Sequence, residues 1–210
     1  MSRQSASYQK LWGEVHDCQI RTGLAIEHLP MFAIRRDNAL NRIQKAERAV
    51  KEDTGLEELE RKWLLAKLWA CRGICRAGIN AKSSRDWEEA VRNFAKATEL
   101  TPGGGGPELG VTYMEFLGLM NHNIAVALLA QYCHGNLRSD LLVRVQRFLT
   151  HAEERLRGKN PSATIICRDT QKIVATLQKT PTALPSGRRG GSTDRWNIED
   201  ILGKLIIPIL

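Results

Sequence analysis

The side chains here that could carry metal or nucleophilic chemistry are five cysteines, Cys18, Cys71, Cys75, Cys133 and Cys167, together with His122 and His134. Cys71 and Cys75 stand one helical turn apart, and with His122, Cys133 and His134 they could offer a tetrahedral zinc set. Their spacing departs from the Cys-x2-Cys pairs of the common zinc modules, and the residues around them are those of packed helix. An odd, scattered set of cysteines reads instead as reduced, buried, small hydrophobes. The sequence contains no nucleophile elbow, no His-Glu-x-x-His pattern, no dinucleotide glycine fingerprint and no EF-hand loop, and His151-Ala152-Glu153-Glu154 is not a metal motif. The four glycines at 103–106 lead into Pro107-Glu108 rather than the Gly-Lys-Ser/Thr ending of a phosphate loop, so they read as a hinge at 103–107. The expectation is a protein that is not an enzyme, with no catalytic residue, no metal and no cofactor.

Charge offers a second kind of chemistry. The formal net charge is +8, but residues 155–195 alone hold nine cations against two anions. The rest of the chain carries 22 cations and 21 anions. A near-neutral body with a basic C-terminal quarter can be drawn to phosphate through that quarter by counterion release, or can simply be solvated there. Arg35, Arg36, Arg42, Lys45, Arg48 and Lys51 add a cationic face on one helix, interleaved with Asp37, Glu47, Glu52 and Asp53. That face reads as salt-bridged solvation, or as a phosphate-tracking surface if the fold aligns it with Arg61, Lys62, Arg72 and Arg76. Nucleic-acid contacts on this second reading fall to Arg35, Arg36, Arg42, Lys45, Arg48, Arg188 and Arg189.

The elements that must position these groups are helical. The composition is that of a folding chain, 42% hydrophobic and 26% charged, and alternating period-2 runs are nearly absent. Tyr8, Leu11, Val15 and Cys18 predict a helix over 5–22 stopping at Gly23. Ile34, Ala39, Leu40, Ile43, Ala46 and Val50 predict a second, closed by Asp53-Thr54-Gly55, and the two would pack as a hairpin. Further helices are expected over 56–82, from a cap at Asp86 to just before Thr101-Pro102, over 111–133, over 138–157, and over 161–179, where Ala163-Thr164-Ile165-Ile166 also suits a strand. The architecture is therefore all-α, a helical bundle or a degenerate helix-hairpin repeat array with a flexible C-terminal tail. Residues 1–179 form the helical domain and 180–193, rich in Pro, Gly, Ser, Thr and Arg, a flexible basic linker. Residues 194–210 form an amphipathic segment: Trp196, Ile198, Ile201, Leu202, Leu205 and Ile206 recur at helical spacing opposite Glu199, Asp200 and Lys204, and Pro208 ends the run. Such a segment packs back on its own body or docks elsewhere. Trp196, Ile201, Leu202, Leu205 and Ile206 are its candidate protein-binding face.

The stretch from Arg85 to Pro102 resembles the second half of a tetratricopeptide repeat. Ala90, Phe94, Ala97 and Pro102 stand at that family's small, aromatic, small and proline positions, Trp87 supplies its upstream aromatic, and Gly78 stands twelve residues before Ala90 as the helix-contact glycine. The first helix departs from the pattern, with Ile74, Ala77 and Ala81 at its bulky positions. The resemblance covers 74–102 and implies a peptide-binding groove or partner-binding face rather than catalysis.

Together these readings lead to a helical adaptor or regulatory accessory protein that binds a protein or peptide partner through a groove and its C-terminal segment. The alternatives are an RNA- or DNA-binding protein and a peripheral membrane or matrix-like protein, and the reading leaves a homo-oligomer open. No apolar run reaches the length of a membrane span and Met1 to Ser5 lack the start of a signal peptide, so the expected location is intracellular: cytoplasmic, or nuclear on the nucleic-acid reading.

Overall fold

Stripes of apolar residues at spacings of three and four set most elements of the computed structural model. It describes residues 5–27, 32–77, 84–103, 113–133, 138–179 and 204–205, and among these the chain forms seven helices and no strand. They are α1 (Ala6–Glu27), α2 (Phe32–Glu52), α3 (Glu58–Ala77), α4 (Ser84–Leu100), α5 (Tyr113–Cys133), α6 (Ser139–Leu156) and α7 (Pro161–Lys179). Each helix packs on its neighbours in sequence. The odd-numbered helices also meet in order: α1 packs on α3, α3 touches α5, and α5 touches α7. One contiguous apolar core runs from Tyr8 to Leu177.

Local chemistry decides where the helices start and stop. Ser5 caps α1 by accepting the Tyr8 amide at 3.0 Å, and its own amide and hydroxyl donate to the Glu60 carboxylate at 2.9 and 2.6 Å, tying α1 to α3. α1 passes through the expected stop at Gly23, because that glycine is buried and does not take the left-handed turn that ends a helix. Gly158 does take it, with φ at +73°, and there α6 ends, the Lys159 and Asn160 amides folding back onto the Leu156 carbonyl. Asn160 caps α7 through the Ala163 amide at 3.0 Å, and Pro161 fits the first helical position, which needs no amide hydrogen. The strand alternative at 163–166 is overturned: Ala163, Thr164, Cys167, Thr170, Ile173, Val174 and Leu177 line one buried helical face. Asp86, expected as a cap, sits inside the first turn of α4, where its carboxylate meets the positive end of the helix. Residues 78–82 of the expected third helix and 104–107 of the expected hinge lie outside the described residues.

The α3–α4 pair carries the residues that resemble a repeat. Trp87, Ala90, Phe94 and Ala97 are all buried. Gly78, expected at the close contact, lies outside the described residues, and the glycine that receives Phe94 is Gly73. A β-carbon there would lie 2.5 to 2.9 Å from three carbons of the Phe94 ring. α5 meets α6 in the same way at Gly118, where a β-carbon would come within 2.8 Å of Leu156 Cγ. The same substitution should therefore have opposite signs at two helical glycines. Gly73→Ala forces a fully buried ring to shift and is expected to cost about 1 to 3 kcal/mol. Gly13→Ala, on exposed α1 surface with nothing within 4 Å, is expected to stabilise by about 0.5 to 1 kcal/mol. Urea unfolding of the two variants checks both signs.

Candidate interaction surfaces

Two places combine exposed or unpaired polar groups with apolar surface. The first is a cleft of about 310 Å³ where α4, α5 and α6 meet. α4 contributes Glu88, Val91 and Arg92 from one face, α5 contributes Leu128 and Gln131, and Arg138, Leu141 and Arg144 follow at intervals of three into α6. Val91, Leu128 and Leu141 supply the apolar lining. Gln131 donates to Glu88 Oε1 at 3.3 Å across the α4–α5 boundary. Arg138 grips Asp140 with two hydrogen bonds, at 3.0 and 2.8 Å; this fork holds the Asp140 carboxyl below its usual range, and Arg144 adds its charge. Arg92 and Arg144 are exposed and form no hydrogen bond or ion pair with any described residue. The arrangement can accept carboxylates on either side of an apolar side chain.

The second place is the middle of α5. His122 is fully buried, and its ring pairs with the main-chain carbonyl of Lys204 at 2.8 Å, 82 residues further along the chain. A carbonyl can only accept, so Nε2 carries the hydrogen and Nδ1 is left as a buried acceptor with no hydrogen-bond partner. Burial pushes the imidazole down to about 4; the bond to the carbonyl opposes that shift and the Lys204 charge adds to it. Leu205 packs, partly buried, against the apolar core. Lys204 also adds to the effect of Lys172 in holding the α7 residue Asp169 low.

Some of the residues expected to bind a partner or nucleic acid are among the described residues. Leu205, expected to face a partner, rests on the body of its own chain, while Trp196, Ile201, Leu202 and Ile206 lie outside the described residues. Several cations of the expected track have partners within the fold. Arg36 pairs with Asp37 at 3.2 Å, and Arg42 joins Arg21 on Asp17. Arg35 is half-buried, and Lys45 and Arg48 are exposed. Of the cations needed to extend the track, Arg61 donates to the carbonyls of Val50, Lys51, Asp53 and Leu56 and so closes α2. Arg72 is held by Glu47 at 2.6 Å over the Trp69 ring, and Arg76 pairs with Glu89 at 3.2 Å. Arg188 and Arg189 lie outside the described residues.

Of the candidate zinc set, His134 lies outside the described residues. Cys71 and Cys75 pack with Cys18 and Thr22, and burial pushes the thiols of Cys18 to about 12 and Cys75 to about 11, away from the thiolate that metals and electrophiles need. No group of three potential ligands occurs among the described residues. Sequence reasoning missed Arg92, Arg138 and Arg144, although the three-residue spacing of Arg138, Leu141 and Arg144 was visible. No family model, curated protein or solved structure matches the chain.

His122 gives the surface a measurable pH dependence. In the unfolded chain it takes up a proton below about 6.5, whereas in the folded chain it stays neutral down to about 4. Unfolding therefore gains a proton in that window, and stability falls as the pH drops through it, by about 2 kcal/mol between pH 7 and pH 5. Urea unfolding of the His122→Gln chain should show a much flatter dependence over the same interval. Parallel curves would contradict the assignment.

Proposed function

We propose that this chain is a non-enzymatic helical interaction protein, an adaptor that takes an acidic segment of a protein partner across the α4–α5–α6 cleft. The single observation that carries the reading is the pair Arg92 and Arg144, exposed beside Val91, Leu128 and Leu141 and neither of them in an ion pair with a described residue. Charge held in no internal ion pair is available to a ligand, and the apolar lining gives a ligand side chain somewhere to be buried. The interlock of Phe94 with Gly73 and the pairing of successive helices support reading the architecture as tetratricopeptide-like, a scaffold suited to peptide grooves. The internal partners of Arg61, Arg72 and Arg76 favour a protein ligand over nucleic acid. Among the described residues no helix is long and apolar enough to cross a membrane.

A displayed random-peptide library selected on the intact protein tests this. The selected peptides should carry carboxylates around an apolar residue and lose at least tenfold in affinity to the Arg92→Glu/Arg144→Glu chain, whose melting temperature should stay within about 2 °C because both side chains are exposed. Peptides that bind both proteins equally would overturn the cleft as the site. Steeply salt-dependent capture of RNA or DNA that survives the double reversal would favour the nucleic-acid reading.

A further inference from the structure

We propose that the C-terminal segment, residues 194–210, is an exchangeable intramolecular ligand of the surface formed by α5 and α7. The inference uses a different surface from the α4–α5–α6 cleft and does not depend on it. Three observations converge on this surface. His122, fully buried in α5, spends its one N–H on a main-chain carbonyl rather than on a side chain, so it reads backbone, as a peptide-binding residue does. The next residue, Leu205, is packed on the core as an apolar anchor. Lys204 also adds its charge to the lowering of Asp169 on α7, so the segment passes within electrostatic range of that helix.

The sequence names the occupant. Leu205 belongs to the stripe Trp196, Ile198, Ile201, Leu202, Leu205 and Ile206, and a stretch of Pro, Gly, Ser, Thr and Arg separates this stripe from α7. Among the described residues no helix follows α7, and Lys204 and Leu205 are the described residues of the segment. A tether of this kind presents its ligand at an effective concentration of order millimolar, so even a weak contact stays occupied in the chain while remaining open to competition. The ligand class is correspondingly defined: an apolar segment with a leucine one residue after an accepting main-chain carbonyl.

The test adds a labelled synthetic peptide of residues 194–210 to the full-length protein and to its Leu205→Asp variant. Undocking the resident segment should let the peptide bind the variant at least tenfold more tightly than the wild type. Adding Arg92→Glu/Arg144→Glu should leave that binding unchanged. Equal binding to wild type and variant, no binding to a folded variant, or loss of binding on the double reversal, which would place the peptide in the other cleft, overturns the proposal. Should Leu205→Asp fail to fold, a full-length chain with a protease site inserted within 185–190 decides the matter. After cleavage the fragment is expected to stay with the body and to leave when excess peptide is added, with the body's helicity intact. A fragment that falls away and does not rebind, that cannot be competed off, or whose loss unfolds the body overturns the proposal.

Discussion

The structure depends on the burial of α5. Every residue from Glu115 to Tyr132 is withdrawn from water, and a helix buried on all sides has no solvent to satisfy its polar side chains. Three of those side chains find partners that organise the rest of the molecule. Glu115 accepts from Asn160, the residue that caps α7; Gln131 donates to Glu88 on α4; and His122 donates to the carbonyl of Lys204. The start of α7, one wall of the cleft and the position of Lys204 are thus each tied to α5 by one hydrogen bond. Leaving any of these groups unpaired would cost about 1 to 3 kcal/mol, comparable to losing a core methyl or two.

The distribution of charge follows from the same economy of partners. Most cations of α2 and α3 are directed at carboxylates or helix-end carbonyls within the fold, and Glu153 gathers Arg157, Arg168 and Gln171 at the α6–α7 boundary. Against that background Arg92 and Arg144 are exposed in one cleft without an ion pair to a described residue, Arg144 acting on Asp140 only through its charge. The buried cysteines are used differently: their thiols are pushed up by burial and packed as small apolar groups.

Much of this fold was legible in the sequence because most helices present one apolar stripe, and stripes such as Tyr8, Leu11, Val15 and Cys18 are buried where spacing placed them. Local signals read less well where tertiary packing overrode them. Gly23 looks like a stop but is carried through as part of a buried face, and the close approach of Phe94 to Gly73 had no signal in the spacing, while Gly78 lies outside the described residues. α5 has no polar face at all, so its apolar run predicts a helix without indicating which neighbours cover it. The cleft joins residues from three helices that share no motif, and the link between His122 and Lys204 spans 82 positions with nothing local to announce it.

Native-state hydrogen exchange along α5 tests most directly whether this helix holds the structure together. If its burial and its three polar ties are the constraint on which the fold rests, the amides from Leu119 to Leu129 should exchange only through global opening, with a free energy equal to that from urea unfolding and a full denaturant dependence. Exchange of those amides through a smaller, partial opening, at a lower free energy than the amides of α1 or α4, would contradict the account.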